Sequence, residues 1–265
     1  MDGESSGPAV HHATLAGFSR EAVSYGRGRP EYPQALTAWL QQALQLGPGR
    51  SVVDLGAGTG KFTRLLLQTG AGIIAIEPVD AMRAQLQHNL PGITALAASA
   101  QSMPLADASV DALVCAQAFH WFANRQAVQQ IGRVLRSGGR LGLVWNVRDE
   151  SVDWVAAITR IMAPYQGDTP RYHTGQWRRL FPNELFSELE ETTVPYRHVG
   201  SAQAVILDRV LSVSFIAALP AAERERVAGK LKSLIATHPQ LRDQPAIAFP
   251  YVTHAYASTR APRRE

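Results

Sequence analysis

The chain has 265 residues, of which 46% are hydrophobic and 18% charged, a composition typical of a folded globular protein. No apolar run approaches the length of a membrane span, and the polar start Met1–Ser6 lacks a hydrophobic signal core, so we expect a cytoplasmic protein without membrane contact. The net charge of +4 comes mainly from arginines scattered beside acids, a pattern that does not favour nucleic-acid binding.

The first part of the chain predicts a tail followed by two helices. Residues 1–16 have the composition of a disordered tail. Phe18–Tyr25 is predicted as a short helix, and a second helix begins near Pro33, a residue that suits the first helical turn. The sequence Gly47-Pro48-Gly49 ends this second helix.

Strands and helices alternate through the middle of the chain. Short apolar strands between helices are typical of a parallel sheet covered on both faces, so we predict a doubly wound α/β sheet. In such a sheet the ligand lies at the carboxyl ends of the strands. The predicted strands are Ser51–Leu55, Ile73–Glu77, Ile93–Ala97, Ala112–Ala116 and Arg140–Val147, and the predicted helices are Lys61–Gln68, Val79–Asn89 and Arg125–Leu135.

The C-terminal part departs from this simple alternation. Helices are predicted at Trp154–Tyr165, Ala202–Leu211 and Pro220–His238. Strands are predicted at Leu189–Val199 and Ala246–Ser258, on either side of the last two helices. The helices between the two strands are interpreted as a cover over the site rather than as a separate domain.

The connection after the first predicted strand carries the strongest functional signal. Asp54 closes the strand, and Gly56, Gly58 and Gly60 alternate through the turn before a helical pattern begins. Glycine permits positive φ and close approach of the backbone to a ligand, and a helix start offers unpaired N–H groups to an anion. Glycine-rich loops occur in many nucleotide-binding proteins, so this loop alone does not identify the ligand.

Glu77 adds a second signal at the end of the next strand. It lies about 20 residues beyond the loop, where a doubly wound sheet places the acid that holds two ribose hydroxyls. A carboxylate accepts both hydroxyl protons and repels a 2′-phosphate. The site is therefore predicted to take an adenosine-containing ligand without that phosphate, and the alternative is a surface glutamate at a strand end.

With these residues the chain resembles the class I S-adenosylmethionine-dependent methyltransferases of the methyltransferase type 11 family. It is similar in particular to the small-molecule type that includes ubiquinone/menaquinone-biosynthesis and trans-aconitate methyltransferases. The resemblance covers roughly residues 18–145. It rests on five segments in the family's order: Val53–Gly60, Ile76–Pro78, Ala100–Leu113, Gln117–Phe122 and Arg133–Leu141.

The resemblance implies a Rossmann-like, doubly wound, seven-stranded sheet, mostly parallel with one antiparallel strand near its edge, and a helical lid. It also implies a single domain over residues 17–265. The cofactor-binding core would span residues 47–147, and the acceptor-binding or lid elements would span residues 17–46 and 148–245.

The implied cofactor is S-adenosylmethionine, and each part of it has candidate partners. Its amino-acid end would meet the glycine loop and Asp54, and its carboxylate would meet Tyr25 and Arg29. Its ribose would meet Glu77. Its adenine would lie against Pro78, Met82 and Gln101. Relatives often carry an acid where Gln101 stands. For some of these residues a structural role is the alternative. Met82 would then be a core residue and Arg29 a solvated one, and the ring of Phe119 or Trp121 would pack in the core. The cofactor-binding candidates are Tyr25, Arg29, Asp54, Gly56, Ala57, Gly58, Gly60, Glu77, Pro78, Met82, Ala100, Gln101, Gln117 and Phe119.

Methyl transfer needs alignment and an acceptor lone pair rather than a covalent nucleophile. His120, between two aromatic residues, is the candidate base, and a hydrogen-bonded structural histidine is its alternative. His173 is a second candidate in a polar-aromatic loop. The histidines show no metal-ligand spacing, so no metal is expected. Arg148, Arg171, Arg178 and Arg179 leave room for an acidic acceptor, but arginine is common throughout this chain.

The predicted function is methyl transfer to a small-molecule acceptor, with a carboxylate and a hydroxyl group both open as the acceptor group. A nicotinamide-dependent oxidoreductase is disfavoured because this loop has G-x-G-x-G instead of G-x-G-x-x-G. A catalytically silent S-adenosylmethionine-binding protein and a protein or RNA methyltransferase remain alternatives. The sequence does not indicate the oligomeric state.

Overall fold

The computed structural model describes residues 29–168 and 170–262. The predicted tail, the predicted helix at Phe18–Tyr25 and the candidate residue Tyr25 lie outside this part of the chain. The described chain builds one seven-stranded sheet with helices on both of its faces.

The strands of the sheet are β1 to β7 in chain order. They lie in the spatial order β3-β2-β1-β4-β5-β7-β6. Pairs among β1 to β5 are parallel, whereas β7 is antiparallel to both of its neighbours, β5 and β6. Their bounds are Ser51–Leu55, Gly72–Ile76, Thr94–Leu96, Val110–Ala116, Leu135–Arg148, Glu190–Gly200 and Ile247–Thr259. The predicted sheet, with one antiparallel strand next to its edge, is confirmed.

The helices follow the predicted order with some differences at their ends. The α-helices α1 to α8 are Leu36–Gln42, Lys61–Leu67, Asp80–Asn89, Arg125–Val134, Asp153–Met162, Arg209–Leu211, Ser214–Ala217 and Ala221–Thr237. Short 3₁₀ helices occupy Phe119–Trp121, Ala163–Tyr165, Tyr172–Thr174 and Gln176–Leu180. The helix predicted at Ala202–Leu211 instead combines a π-helix, Gln203–Asp208, with α6.

The apolar pattern of the central strands explains their place in the sheet. Residues Val52 to Leu55 of β1 are all buried, as are Ala112 to Ala116 of β4. A strand buried on both faces needs a helical layer on each side. One layer packs around Phe119, Ile131 and Trp145, and the other packs around Leu40, Phe62 and Leu66.

The segments between β5 and β7 add a third apolar cluster. Trp154 and Ile158 of α5 pack with Val227 of α8 and with Phe249 and Tyr251 of β7. The helices predicted as a cover over the site are therefore anchored on the antiparallel edge of the sheet. The predicted domain limits stay predictions.

The strand order places a crevice between β1 and β4. The chain runs outward from β1 to β2 and β3, and then returns to place β4 on the other side of β1. In open α/β sheets, ligands bind outside the carboxyl ends of strands at such a reversal of direction. The segments that follow β1, β2 and β4 therefore meet at one site.

Candidate active site

A large cleft opens at the carboxyl ends of β1, β2 and β4. Its empty space, including the open mouth, is about 1220 Å³. The cleft brings together most of the residues that the sequence suggested. They are Arg29, Asp54, Gly56, Ala57, Gly58, Glu77, Pro78, Met82, Ala100, Gln101 and Gln117.

The glycine loop after β1 forms the floor of the cleft. Gly56 has φ +74°, and an added Cβ would lie 2.7 Å from the Cβ of Ala118, so this position excludes larger residues. Gly58 also has positive φ but faces open space. Gly60 begins α2 in the left-handed region, and its added Cβ would meet Leu86 rather than the cleft. Gly60 therefore shapes the helix start instead of lining the cavity.

Asp54 is a fully buried carboxyl group at the end of β1. Its Oδ2 accepts a 2.6 Å hydrogen bond from the hydroxyl of Thr63, while its Oδ1 has no partner within the described residues. The pKa of Asp54 is raised to about 7: burial is the main cause, the charge of Glu77 adds to it, and the Thr63 hydrogen bond opposes it. A cationic group in the cleft would give Oδ1 a partner and favour the ionised form.

Glu77 follows β2 and is nearly buried at the edge of the cleft. Its two oxygens accept the backbone N–H groups of Gly58 and Val79, each at 2.9 Å. Burial raises the pKa of Glu77, and these two hydrogen bonds lower it. Each carboxylate oxygen can accept a further hydrogen bond, so Glu77 can hold the glycine loop and a pair of ligand hydroxyls together.

The far end of the cleft has the apolar character that an adenine ring needs. Pro78 and Met82 line it beside Ala100 and Gln101. Met82 is 4% exposed, so it serves the core and the cleft at once and both readings of its role apply. The Gln101 side chain there has both a donor and an acceptor.

The 3₁₀ helix after β4 divides its aromatic residues between core and cleft. Phe119 is fully buried and packs edge-on against Phe122 with ring centroids 5.7 Å apart, and it does not line the cleft. Trp121 and Phe122 line it instead. The ring of Phe119 therefore lies in the core rather than along the cleft, which disfavours the expected contact with the cofactor, and that contact stays a prediction.

His120 points away from the glycine loop, into a second cavity. Its Nδ1 accepts the indole N–H of Trp145 at 3.0 Å, so a neutral ring carries its proton on Nε2. The pKa of His120 is lowered to about 3, mainly by burial and in addition by the charges of Arg29, Arg171 and His173. In this arrangement His120 offers a hydrogen-bond donor, which disfavours the expected role as a base.

The second cavity adjoins the first and has an empty space of about 760 Å³. Gln117, Trp121, Asn146 and Arg209 are among the residues that line both cavities. His173, the other candidate catalytic residue, lies exposed at the rim of the second cavity. Burial, with Arg148 as the next cause, lowers the pKa of His173.

Two residues at this junction were missed in the sequence. The buried Asn146, near the end of β5, donates to the backbone oxygen of Glu31 at 3.0 Å and accepts from Thr253 at 2.6 Å. Arg209 begins α6, far along the chain from the glycine loop. A polar residue closing an apolar strand was a signal for Asn146, whereas nothing in the local sequence distinguishes Arg209 from other arginines.

Two further features concern residues 29–168 and 170–262. In this part of the chain no three His, Cys, Asp or Glu side chains are grouped so that they could hold a metal ion. None of the helices described there has both the length and the apolar character to cross a membrane.

Comparisons with known proteins agree with this geometry. Residues 53–143 match the family model described as a methyltransferase domain. The chain is 36% identical to an uncharacterized methyltransferase-like protein of Schizosaccharomyces pombe, over 94% of this chain and 98% of that protein. It is 39% identical to an uncharacterized methyltransferase of Mycobacterium tuberculosis, over 92% of this chain and 96% of that protein.

A solved structure is also similar over most of its length. It is a candidate type II methyltransferase from Anaeromyxobacter dehalogenans, with 26% sequence identity and a TM-score of 0.61. The match covers 89% of this chain and 97% of that chain. The similarity therefore extends past the cofactor-binding half into the segments that line the second cavity.

Proposed function

Since the chain belongs to the class I S-adenosylmethionine-dependent methyltransferase family, we propose that it transfers a methyl group from S-adenosylmethionine to a small-molecule acceptor. The observation that carries this proposal is the unpartnered Oδ1 of Asp54, which lies in the same cleft as Glu77 and the open glycine loop. Asp54 would complement the ammonium group of that cofactor, Glu77 its ribose, and the glycine loop its amino-acid chain.

The residues of the cleft fit the cofactor part by part. Asp54 Oδ1 would accept from its ammonium group, and Gly58 leaves space for its amino-acid chain. Glu77 would accept from the ribose hydroxyls, and Met82 and Gln101 would enclose the adenine. Arg29 lines both cavities and remains the candidate partner of the cofactor carboxylate, together with Tyr25.

The bound cofactor supplies an electrophilic methyl group, and the chain supplies alignment. Gln117 has φ +58°, and its side chain donates to the backbone oxygen of Asn146 at 3.1 Å, which fixes the wall between the two cavities. Such a sparsely populated backbone conformation is often found where a site is preorganised. Trp121 would present its ring to the sulfonium side of the cleft.

The second cavity supports a small acceptor over a macromolecule. Residues from several segments line it, among them β5, the 3₁₀ helices at Phe119–Trp121 and Tyr172–Thr174, α6 and α7. A hollow walled by several segments and joined to the cofactor cleft suits a compact ligand. His120 would donate a hydrogen bond from its Nε2–H to that ligand and orient it. His173 at the rim remains a second candidate for contact with the ligand.

The test combines binding and turnover. Calorimetry should detect S-adenosylhomocysteine but not NAD⁺, and transfer of labelled methyl from S-adenosylmethionine to small molecules should follow. Binding without turnover on any acceptor would favour the silent binding protein. Absence of binding to well-folded protein would refute the proposal.

A further inference from the structure

The second cavity carries positive charge on its walls. Its lining includes Arg148, Arg171 and Arg209, and among the described residues it includes no aspartate or glutamate. A hollow whose walls carry one sign of charge focuses its field on ligands of the opposite sign. The charge of this cavity therefore selects for an anion.

Two of these arginines have buried donor atoms without an acceptor in residues 29–168 and 170–262. They are Nε and Nη2 of Arg171, and Nε and Nη1 of Arg209. Arg148 donates to a weak acceptor, the sulfur of Met162, at 3.1 Å. Because buried charged donors without acceptors cost free energy, these groups are set for a ligand that supplies acceptor oxygens.

The positions of these donor atoms favour an anionic group with more than two oxygens. Nε and Nη2 lie on one edge of a guanidinium, so Arg171 can bind two oxygens of one group in parallel hydrogen bonds. The free donors of Arg209 lie on different edges of its guanidinium and belong to another element, α6. A carboxylate has both of its oxygens engaged by the first arginine, whereas a phosphate group has a third terminal oxygen for the second.

The three guanidinium groups lie close enough together to repel one another. The pKa of Arg171 is lowered to about 10, mainly by burial and in addition by the charge of Arg148. Burial also lowers the pKa of Arg148, with the charge of Arg209 as the next cause and the nearby acid Glu150 opposing it. This clustering suits one compact group with two negative charges better than two separate groups with one charge each. A phosphomonoester carries about −1.5 to −2 at pH 7.

The place of the arginines in the cavity suits an anchor for the ligand. Arg148 and Arg171 line the second cavity but not the cofactor cleft, whereas Arg209 lines both. A group held between Arg148 and Arg171 therefore lies on the side of the cavity away from the cleft. The guanidinium of Arg171 also lies 4.2 Å from the ring centroid of Phe215, so apolar surface adjoins the charge. The carbon skeleton of such a ligand would extend past Gln117 toward the cofactor.

We propose that Arg148, Arg171 and Arg209 bind the phosphate group of a small phosphomonoester, and that this phosphate anchors the methyl acceptor without itself taking the methyl group. This inference rests on the proposed methyltransferase function and names its substrate class. The phosphate ester stays intact during methyl transfer. Its binding can therefore be measured before the atom that takes the methyl group is known.

The experiment is titration calorimetry on the full chain saturated with S-adenosylhomocysteine. The probes are phenyl phosphate, benzoate, glutarate and inorganic phosphate. Phenyl phosphate should bind at least about tenfold more tightly than each of the others, because benzoate lacks the third oxygen and second charge, glutarate divides its charge between two groups, and inorganic phosphate lacks a carbon skeleton. Equally tight binding of benzoate or glutarate would overturn the phosphate assignment, and equally tight binding of inorganic phosphate would overturn the ester.

Matched variants connect the result to the arginines. Arg171→Gln and Arg148→Gln should each weaken the binding of phenyl phosphate by about tenfold to a hundredfold, because each loses charge-assisted hydrogen bonds. Arg171→Lys should recover part of that loss. Arg179→Gln is the control, since this nearby arginine is exposed and does not line the cavity. With labelled S-adenosylmethionine, formation of methyl phenyl phosphate would overturn the role of the phosphate as an anchor, and we expect none.

The binding of S-adenosylhomocysteine separates the two proposals. Its affinity should stay unchanged in Arg148→Gln and Arg171→Gln, which also shows that these variants are folded. If the wild-type protein binds S-adenosylhomocysteine but not phenyl phosphate, or if both Gln variants keep the wild-type affinity for phenyl phosphate, the phosphate site is refuted. If S-adenosylhomocysteine does not bind the wild-type protein, the proposed function itself fails.

Discussion

Asp54 and Glu77 are two buried carboxyl groups at the ends of the adjacent strands β1 and β2, and the charge of Glu77 raises the pKa of Asp54 beyond the effect of burial. The two acids differ in their partners. Glu77 has two backbone N–H donors, whereas one oxygen of Asp54 has none in the described chain. Asp54 is therefore the acid that destabilises the ligand-free protein and gains most from a bound cation.

Asp54→Asn should stabilise the protein at alkaline pH and weaken its cofactor binding. A folded-state pKa of about 7 lies above the ordinary value of 3.8, so the wild-type protein loses stability as pH rises through this interval. The uncharged amide avoids that loss, so the variant should gain at most about 4 kcal/mol relative to wild type between pH 4 and pH 8. Denaturant unfolding at both pH values measures the difference.

The exposed Asp243 provides the matched control, as Asp243→Asn. A stability difference between Asp54→Asn and wild type that is the same at acidic and alkaline pH would contradict the raised pKa. Calorimetry should show weaker S-adenosylhomocysteine binding by Asp54→Asn, and equal affinity would remove Asp54 from the ammonium site.

His120→Gln should make the protein less sensitive to acid. The folded-state pKa of His120, about 3, lies below the ordinary 6.5, so the wild-type protein loses stability as pH falls through this interval, because the unfolded chain takes up a proton. Between pH 7.5 and pH 5 the wild type should lose about 2 kcal/mol more than the variant. The exposed His88, as His88→Gln, serves as the control.

The same pKa fixes an expectation for catalysis. If His120 is a donor, its titration should not appear in the pH–rate profile. The wild-type enzyme and His120→Gln should then show the same profile near pH 6.5. Glutamine can still donate a hydrogen bond, so the variant should keep part of the activity that His120→Phe loses. A wild-type inflection in this range that vanishes in the glutamine variant would instead support His120 as a general base.

Glu77→Gln should weaken the binding of S-adenosylhomocysteine by about 1–3 kcal/mol, since charged hydrogen bonds to the ribose become weaker and an amide N–H₂ faces a backbone N–H. The Gly58 and Val79 N–H groups would lose one charged acceptor as well. Titration calorimetry measures the loss, with Glu188→Gln as an exposed control. Wild-type affinity in a folded Glu77→Gln protein would show that Glu77 holds only the loop.

The order and type of most elements could be predicted because their signals are local. Apolar runs of strand length, helical spacing and the glycine loop are each readable within a few residues. The π-helix at Gln203–Asp208 was not predicted, since its apolar spacing resembles that of an α-helix. The cofactor side of the site is equally local, because Asp54, Gly56 and Glu77 lie at strand ends.

The acceptor side depends on distant packing and was harder to predict. Of the four arginines considered in the sequence, Arg148 and Arg171 line the second cavity, while Arg178 pairs with Glu191 at 3.5 Å and Arg179 is exposed. Arg209 was not considered. These differences follow from how the segments after β5 fold back over the sheet, which no local pattern records.

Phe119 and Trp121 provide the last prediction, because they lie two positions apart on one 3₁₀ helix but place their rings in the core and along the cleft, respectively. Phe119→Ala should destabilise the protein by about 3–5 kcal/mol, as expected for a large ring removed from a tightly packed core. Once corrected for the folded fraction, its affinity for S-adenosylmethionine should equal that of the wild type. Denaturant unfolding and calorimetry measure the two effects.

Trp121→Ala should show the opposite pattern. The ring lines the cleft, so its loss should lower the affinity for the positively charged S-adenosylmethionine by about 0.5–2 kcal/mol through the lost cation–π contact. The neutral S-adenosylhomocysteine should be affected less, and the free energy of unfolding should change less than in Phe119→Ala. Equal losses of affinity for both ligands would mean that the Trp121 ring acts by shape alone. A loss of affinity found only in Phe119→Ala would assign the aromatic contact with the cofactor to Phe119.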